Sequence, residues 1–137
     1  MIRKIKDHSN IIFFDGVCNL CNFWVNYVIR NDSDQVFCFT SLQSDFASSF
    51  LKQNKINSDF ETIILYSEGK FFKESDAIIS ILYKIRGFNR VLSILIKLIP
   101  LKIRNSLYRF ISRNRYPLFG RLDHCMVPSH NIKNRFL

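Results

Sequence analysis

The stretch Ile11-Ile12-Phe13-Phe14-Asp15-Gly16-Val17-Cys18-Asn19-Leu20-Cys21 runs from an apolar tetrad through a turn into a pair of cysteines. Four consecutive apolar residues suit a strand covered on both faces. Asp-Gly is turn chemistry. From Asn19 to Arg30 the apolar residues fall at 20, 24, 25, 28 and 29, a helical spacing. Asn31-Asp32-Ser33-Asp34 stops that helix. Two cysteines three apart therefore stand at a strand-to-helix junction. A helix start presents unpaired N–H groups and a partial positive charge. That field favours a thiolate, which is the nucleophile in thiol–disulfide exchange. The i, i+3 spacing puts both sulfurs on one helix face, close enough to close a small ring.

Working outward, Val36–Thr40 reads as a second strand, and Ser44 caps a second helix that runs to about Asn54. Thr62–Tyr66 is a third strand, which Ser67-Glu68-Gly69 turns into a fourth, Lys70–Lys73. Ser75 is expected to cap a third helix, Asp76–Arg86, closed by Gly87. The order β-α-β-α-β-β-α predicts an α/β sheet with a parallel part and an antiparallel edge hairpin. Two further helical segments, Arg90–Ile99 and Leu101 to about Arg113, are separated by Pro100. Tyr116–Leu137 reads as irregular. No internal repeat or low-complexity linker interrupts the chain.

At 137 residues and 47% hydrophobic composition, the expectation is one domain with its own core, built over about 11–87 with helices and a tail appended over about 88–137. Four cysteines are too few for a disulfide framework. The first residues lack the apolar core of a signal peptide. The longest hydrophobic stretch, Val91–Leu101, is far short of a bilayer span. A cytoplasmic protein is expected, and there a C-x-x-C is more often redox or metal-binding than structural. Charge is unevenly placed: residues 1–83 sum to −2 and residues 84–137 to +11. The second half could meet an anionic surface or an acidic protein. No nucleic-acid-binding motif accompanies the bases, so no specific nucleic acid is expected.

Three side chains carry the expected chemistry. Cys18, at the helix start, is expected to be the exposed nucleophile. Cys21, one turn deeper, is expected to be more buried and to resolve the mixed disulfide. Asp15 has two readings: a proton acceptor for Cys21, its pKa raised at a poorly solvated strand end, or a shaper of the Asp-Gly turn. A carboxylate beside Cys18 opposes thiolate formation, so the helix start must outweigh it or Asp15 must point elsewhere. The cysteines also admit plainer readings, as buried packing or as two zinc ligands completed by His124 and Cys125. Cys38 reads as core packing, Cys125 as buried or as a third redox thiol, and His8 and His130 as surface. Lys97, Lys102, Arg104, Arg109, Arg113 and Arg115 interleave with apolar residues and read either as a solvated helix face or as an anion-binding surface.

Asp15-x-x-Cys18-x-x-Cys21, set in Phe14–Asn22, resembles the DCC family of thiol-disulfide oxidoreductases, which is named for that motif. Ser41-Leu42-Gln43-Ser44, Ser75-Asp76-Ala77, Arg113-Asn114-Arg115-Tyr116 and Phe119-Gly120-Arg121 through Cys125 look like the family's later blocks. The resemblance implies a thioredoxin-like fold with additional C-terminal helices. It also implies a dithiol/disulfide site at Cys18 and Cys21, with no cofactor or metal beyond that redox pair. The chain departs from thioredoxin in two respects: Asp59-Phe60-Glu61-Thr62 carries no proline, and the dipeptide between the cysteines is Asn-Leu. The expected function is exchange of a dithiol for a disulfide on a thiol or disulfide substrate, such as a protein. The alternative is a non-enzymatic module whose basic helices bind an anionic surface or protein, with metal-binding or structural cysteines.

Overall fold

The computed structural model describes residues 10–32, 36–56, 63–85 and 87–120. Among these residues four strands form one sheet: β1 (Asn10–Phe14), β2 (Cys38–Ser41), β3 (Ile64–Ser67) and β4 (Lys70–Lys73). Six helices accompany them: α1 (Asn19–Asn31), α2 (Asp45–Gln53), α3 (Glu74–Lys84), α4 (Phe88–Lys97), α5 (Leu101–Arg113) and α6 (Arg115–Phe119). The spatial order is β2-β1-β3-β4. β1 lies parallel to β2 and antiparallel to β3, and β4 hairpins back on β3. This mixed sheet is consistent with a thioredoxin-like α/β fold. The topology puts β1 in the interior of the sheet, which explains its unbroken apolar run.

Alternation along β1 divides the core. Ile12 and Phe14 face one way and pack with Val25 and Val28 of α1 and with Ala77, Ile81 and Leu82 of α3. Ile11 and Phe13 face the other way, onto Phe46, Ala47, Phe50 and Leu51 of α2. Each face is therefore covered by helix, and β1 can carry no polar residue between Ile11 and Phe14 without burying it unpaired. The α1–β2 connection is held by the buried Asp32 carboxylate, which accepts the N–H groups of Val36 (3.1 Å) and Phe37 (3.0 Å).

The expected elements recur with shifted ends. Ser44 caps α2 as expected, its side chain accepting the Ala47 N–H. Ser75 is not a cap: α3 begins two residues earlier than expected, at Glu74 after Lys73, and Ser75 sits inside it, buried. Its hydroxyl donates to Asn105 of α5 and accepts from Arg104 Nε (3.1 Å), so a serine read as a local cap instead joins two helices. Glu74 adopts a positive φ of 55°, a left-handed conformation at the corner where β4 becomes α3. The stretch expected to be irregular contributes the short helix α6, and residues 121–137 lie outside the described residues. Cys38 is buried in β2, as a packing residue would be.

Removing the Phe13 ring empties the space between β1 and α2, where it lies 5.7 Å from the Phe50 ring. Phe13→Ala should lower unfolding stability in urea by about 3–5 kcal/mol.

Candidate functional site

The C-terminal end of β1 delivers the chain into a tight turn. The Cys18 N–H donates to the Asp15 carbonyl (3.2 Å), and the Val17 N–H to Asp15 Oδ1 (3.2 Å). The buried Asn22 side chain donates to the Gly16 carbonyl (3.0 Å) and ties the turn to the helix that follows. Cys18 is the N-cap of α1, with extended backbone, and its sulfur accepts the Cys21 N–H at 3.3 Å. A cysteine thus does here what serine or aspartate usually does at a helix start. The Asn19 N–H donates to the Gly120 carbonyl (3.3 Å), and the Asn19 side chain to the Phe119 carbonyl (2.9 Å), so the end of α6 rests on the first turn of α1. The φ of +91° at position 120 favours glycine, and a side chain there would begin 2.8 Å from the Asn19 amide and force it to move.

The expected exposures of the two thiols are reversed. Cys18 is completely buried, and Cys21 is the partly exposed one, on the wall of a cavity. An N-cap side chain folds back over the backbone it caps. Position 21, one turn on, points into the space between α1, α3 and α5. The proton affinities nevertheless separate as expected. The Cys21 thiol donates to the Cys18 sulfur, burial opposes ionisation, and the Cys21 N–H and the Arg115 charge favour it; together they draw the Cys18 pKa down to about 7. Cys21 moves the other way: its proton is held by Cys18, and burial and the neighbouring thiolate charge push its pKa up.

Asp15 is placed where its charge is neutralised. Its Oδ2 accepts from Arg115 Nη2 (3.0 Å) and from the Tyr116 hydroxyl, and its Oδ1 accepts from Gln43 Nε2 (2.7 Å) and the Val17 N–H. Gln43 is held in turn by accepting the Gly16 N–H (3.0 Å). Burial alone would raise the Asp15 pKa, but the bonds from Tyr116, Gln43, Arg115 and Val17 outweigh it and leave it lowered. A carboxylate has about four lone-pair positions, and all four are engaged. The conflict between this carboxylate and a Cys18 thiolate is met by Arg115, whose favourable charge acts on Cys18 more strongly than Asp15 opposes it.

Arg115, grouped in the sequence with solvated bases, is in fact buried, its side chain 6% exposed against 2% for Asp15. Two more of those bases are also paired: Arg104 with Asp76 (2.9 Å) and Arg109 with Glu74 (2.9 Å). Gln43, Arg115 and Tyr116 fall in the Ser41–Ser44 and Arg113–Tyr116 blocks, but no local pattern assigns them to Asp15. Beside Cys21 lies a cavity of about 420 Å³, walled mainly by Leu20, Trp24, Ile78, Leu107 and Ile111. Among the described residues no three His, Cys, Asp or Glu side chains gather as a metal site requires. His124 and Cys125 lie outside the described residues.

Breaking this buried pair strands a charge. Arg115→Met should cost about 3–5 kcal/mol of stability. Asp15→Asn combined with Arg115→Met should cost less than the sum of the two, as read by urea unfolding. Because the folded-state pKa of Asp15 is lowered, the pair contributes fully above about pH 4. That contribution is lost as pH falls through the folded value. Asp15→Asn should therefore flatten the acid limb of the stability–pH curve.

Comparison with known proteins places the chain in a family. The family model described as DCC1-like thiol-disulfide oxidoreductase matches residues 12–121, from β1 past α6. The uncharacterized protein YuxK of Bacillus subtilis (strain 168) is 40% identical over 130 residues, covering 94% of this chain and 94% of the relative. A chloroplastic DCC family protein of Arabidopsis thaliana is 32% identical over 121 residues, covering 88% of this chain and 70% of its own. No solved structure gives a significant match. With the family match spanning the strand, the cysteine pair and the residues that hold Asp15, the chain belongs to the DCC1-like thiol-disulfide oxidoreductase family.

Proposed function

We propose that this protein exchanges a dithiol for a disulfide through Cys18 and Cys21, on a thiol or disulfide substrate such as a protein, in a cytoplasmic setting. One observation carries the reading: the Cys18 sulfur, at the start of α1, accepts the Cys21 N–H at 3.3 Å, and the neighbouring Cys21 side chain lowers its proton affinity further. Thiolate character at neutral pH follows from that arrangement. The Cys18 thiolate attacks one sulfur of the substrate disulfide. A Cys18–substrate S–S bond forms, the substrate S–S bond breaks, and the departing thiolate takes up a proton. The charge that held the Cys21 proton is then spent, so Cys21 ionises more readily. Cys21 attacks the Cys18 sulfur and closes the ring, and the second substrate sulfur leaves as a thiol. The substrate gains two electrons and two protons: both electrons come from the two cysteines, one proton from Cys21 and the other from solvent, which took up the Cys18 proton on ionisation. Asp15 and Arg115 act here as positioning residues: Asp15 fixes Arg115, and Arg115 supplies positive charge to the thiols.

Exposure favours the opposite order, with Cys21 attacking from the cavity wall, and trapping separates the two. Under the first order Cys21→Ser accumulates mixed disulfides with thiol-bearing substrates, seen on non-reducing gels, while Cys18→Ser traps few. The reverse pattern exchanges the roles. If neither variant traps substrate and the protein carries stoichiometric zinc, the binding-module alternative replaces the enzyme.

The pH dependence is a second check. Alkylation of Cys18 in the wild type should rise with pH around a midpoint near 7. Cys21→Ala removes the thiol donor and should move that midpoint up toward the ordinary thiol value of about 8.5. Cys21→Ser, which keeps an O–H donor, should move it less. A midpoint unchanged in Cys21→Ala would remove the assigned cause of thiolate formation.

A further inference from the structure

Helix α4 turns a mixed face inward, with Leu92 and Ile96 partly buried against the core. Its buried residues are Asn89 and Ser93, both polar. Asn89 accepts the Tyr27 hydroxyl of α1, and Ser93 donates to the Arg90 carbonyl (2.7 Å), so both polar groups are satisfied inside. The opposite face holds Phe88, Val91, Leu95 and Leu98 at intervals of three and four residues, with Ile94 beside them, and all are exposed: Phe88 to 77% and Leu98 to 76%. α5 continues the pattern. None of its residues is buried, and Ile103, Leu107 and Phe110 stand out from it. Isolated exposed apolar residues are ordinary, but a stripe along a whole helix, followed by further exposed apolar residues on the next one, marks an interaction surface.

The charges around that face choose its partner. Residues 88–119 contain seven Lys or Arg and no Asp or Glu. Arg104, Arg109 and Arg115 are committed to carboxylates on other elements. Lys97 and Lys102 flank Pro100 at the α4–α5 corner, and they and Arg113 are exposed. A second copy of the face would set cations against cations, which opposes self-association. A bilayer rich in anionic lipid answers both features, with apolar depth for the leucines and phenylalanines and negative charge for the lysines. No helix among the described residues is long and apolar enough to cross a membrane. We infer that α4 and α5 form a peripheral docking surface for an anionic lipid bilayer, lying in the interface with the Phe88–Leu98 stripe inserted and Lys97 and Lys102 at the headgroups. The inference stands apart from the redox reading and does not require it.

Vesicle co-sedimentation of the reduced full chain tests it. The wild type should pellet with vesicles of phosphatidylglycerol and phosphatidylcholine at low salt, weaken steeply as salt rises, and bind pure phosphatidylcholine poorly. Leu95→Glu/Leu98→Glu and Lys97→Glu/Lys102→Glu should each lower partitioning by about tenfold or more. Circular dichroism should be unchanged, since all four side chains are exposed. No wild-type binding to the anionic vesicles at low salt overturns the proposal, as does wild-type-like partitioning of both double variants. A dimer in sedimentation equilibrium that Leu95→Glu/Leu98→Glu disperses also overturns it and assigns the face to a second copy.

Discussion

A carboxylate at the end of the central strand and a guanidinium one hundred residues later share a buried ion pair, Asp15 Oδ2 to Arg115 Nη2 at 3.0 Å. Much of the site depends on it. Asp15 also receives Gln43 from the β2–α2 connection and Tyr116 from α6. One side chain thus gathers two distant regions of the chain around the turn that presents the cysteines. Such a pair brings little net stability once desolvation is counted, but it is costly to break from one side. Its consequence is positional: α6 must lie against the start of α1, where the Phe119 and Gly120 carbonyls meet Asn19.

The pair also resolves an electrostatic difficulty. A lone buried carboxylate near two thiols would hold protons on both. With Arg115 beside it, the positive charge acts on Cys18 more strongly than the negative one. The remaining asymmetry between the sulfurs is local. Cys18, at the cap, can only accept from the helix, whereas Cys21, inside the first turn, can donate. Identical side chains therefore differ in proton affinity because of their place relative to the helix start.

The appended helices do two kinds of work on opposite faces. Inward, Tyr108 accepts the Ile63 N–H at 2.8 Å, and Arg104 reaches Ser75 and Asp76, so α5 is fastened to β3 and α3. Outward, α4 and α5 present apolar side chains between exposed bases. The positive charge concentrated in this half of the chain is thus divided. Part is consumed by Glu74, Asp76 and Asp15, and part remains exposed.

Local patterns by themselves determined the alternating elements, the covered central strand and the cysteine at a helix start. Each rests on neighbours in sequence: apolar period, turn residues and the backbone donors of one helix turn. Ser44 was legible as a cap for that reason. Ser75 was misread for the same reason, since its hydroxyl is engaged by Asn105, thirty residues away. Arg115 carried no local mark to distinguish it from Arg113, and only the packing of α6 on α1 brings it to Asp15. Periodicity likewise locates the apolar stripe of α4 but not the side of the helix that the rest of the protein covers. The relative exposure of Cys18 and Cys21 belongs to that tertiary class too. Proton affinity follows the helix start, which sequence reveals, while burial follows the elements packed around it, which only the folded chain assembles.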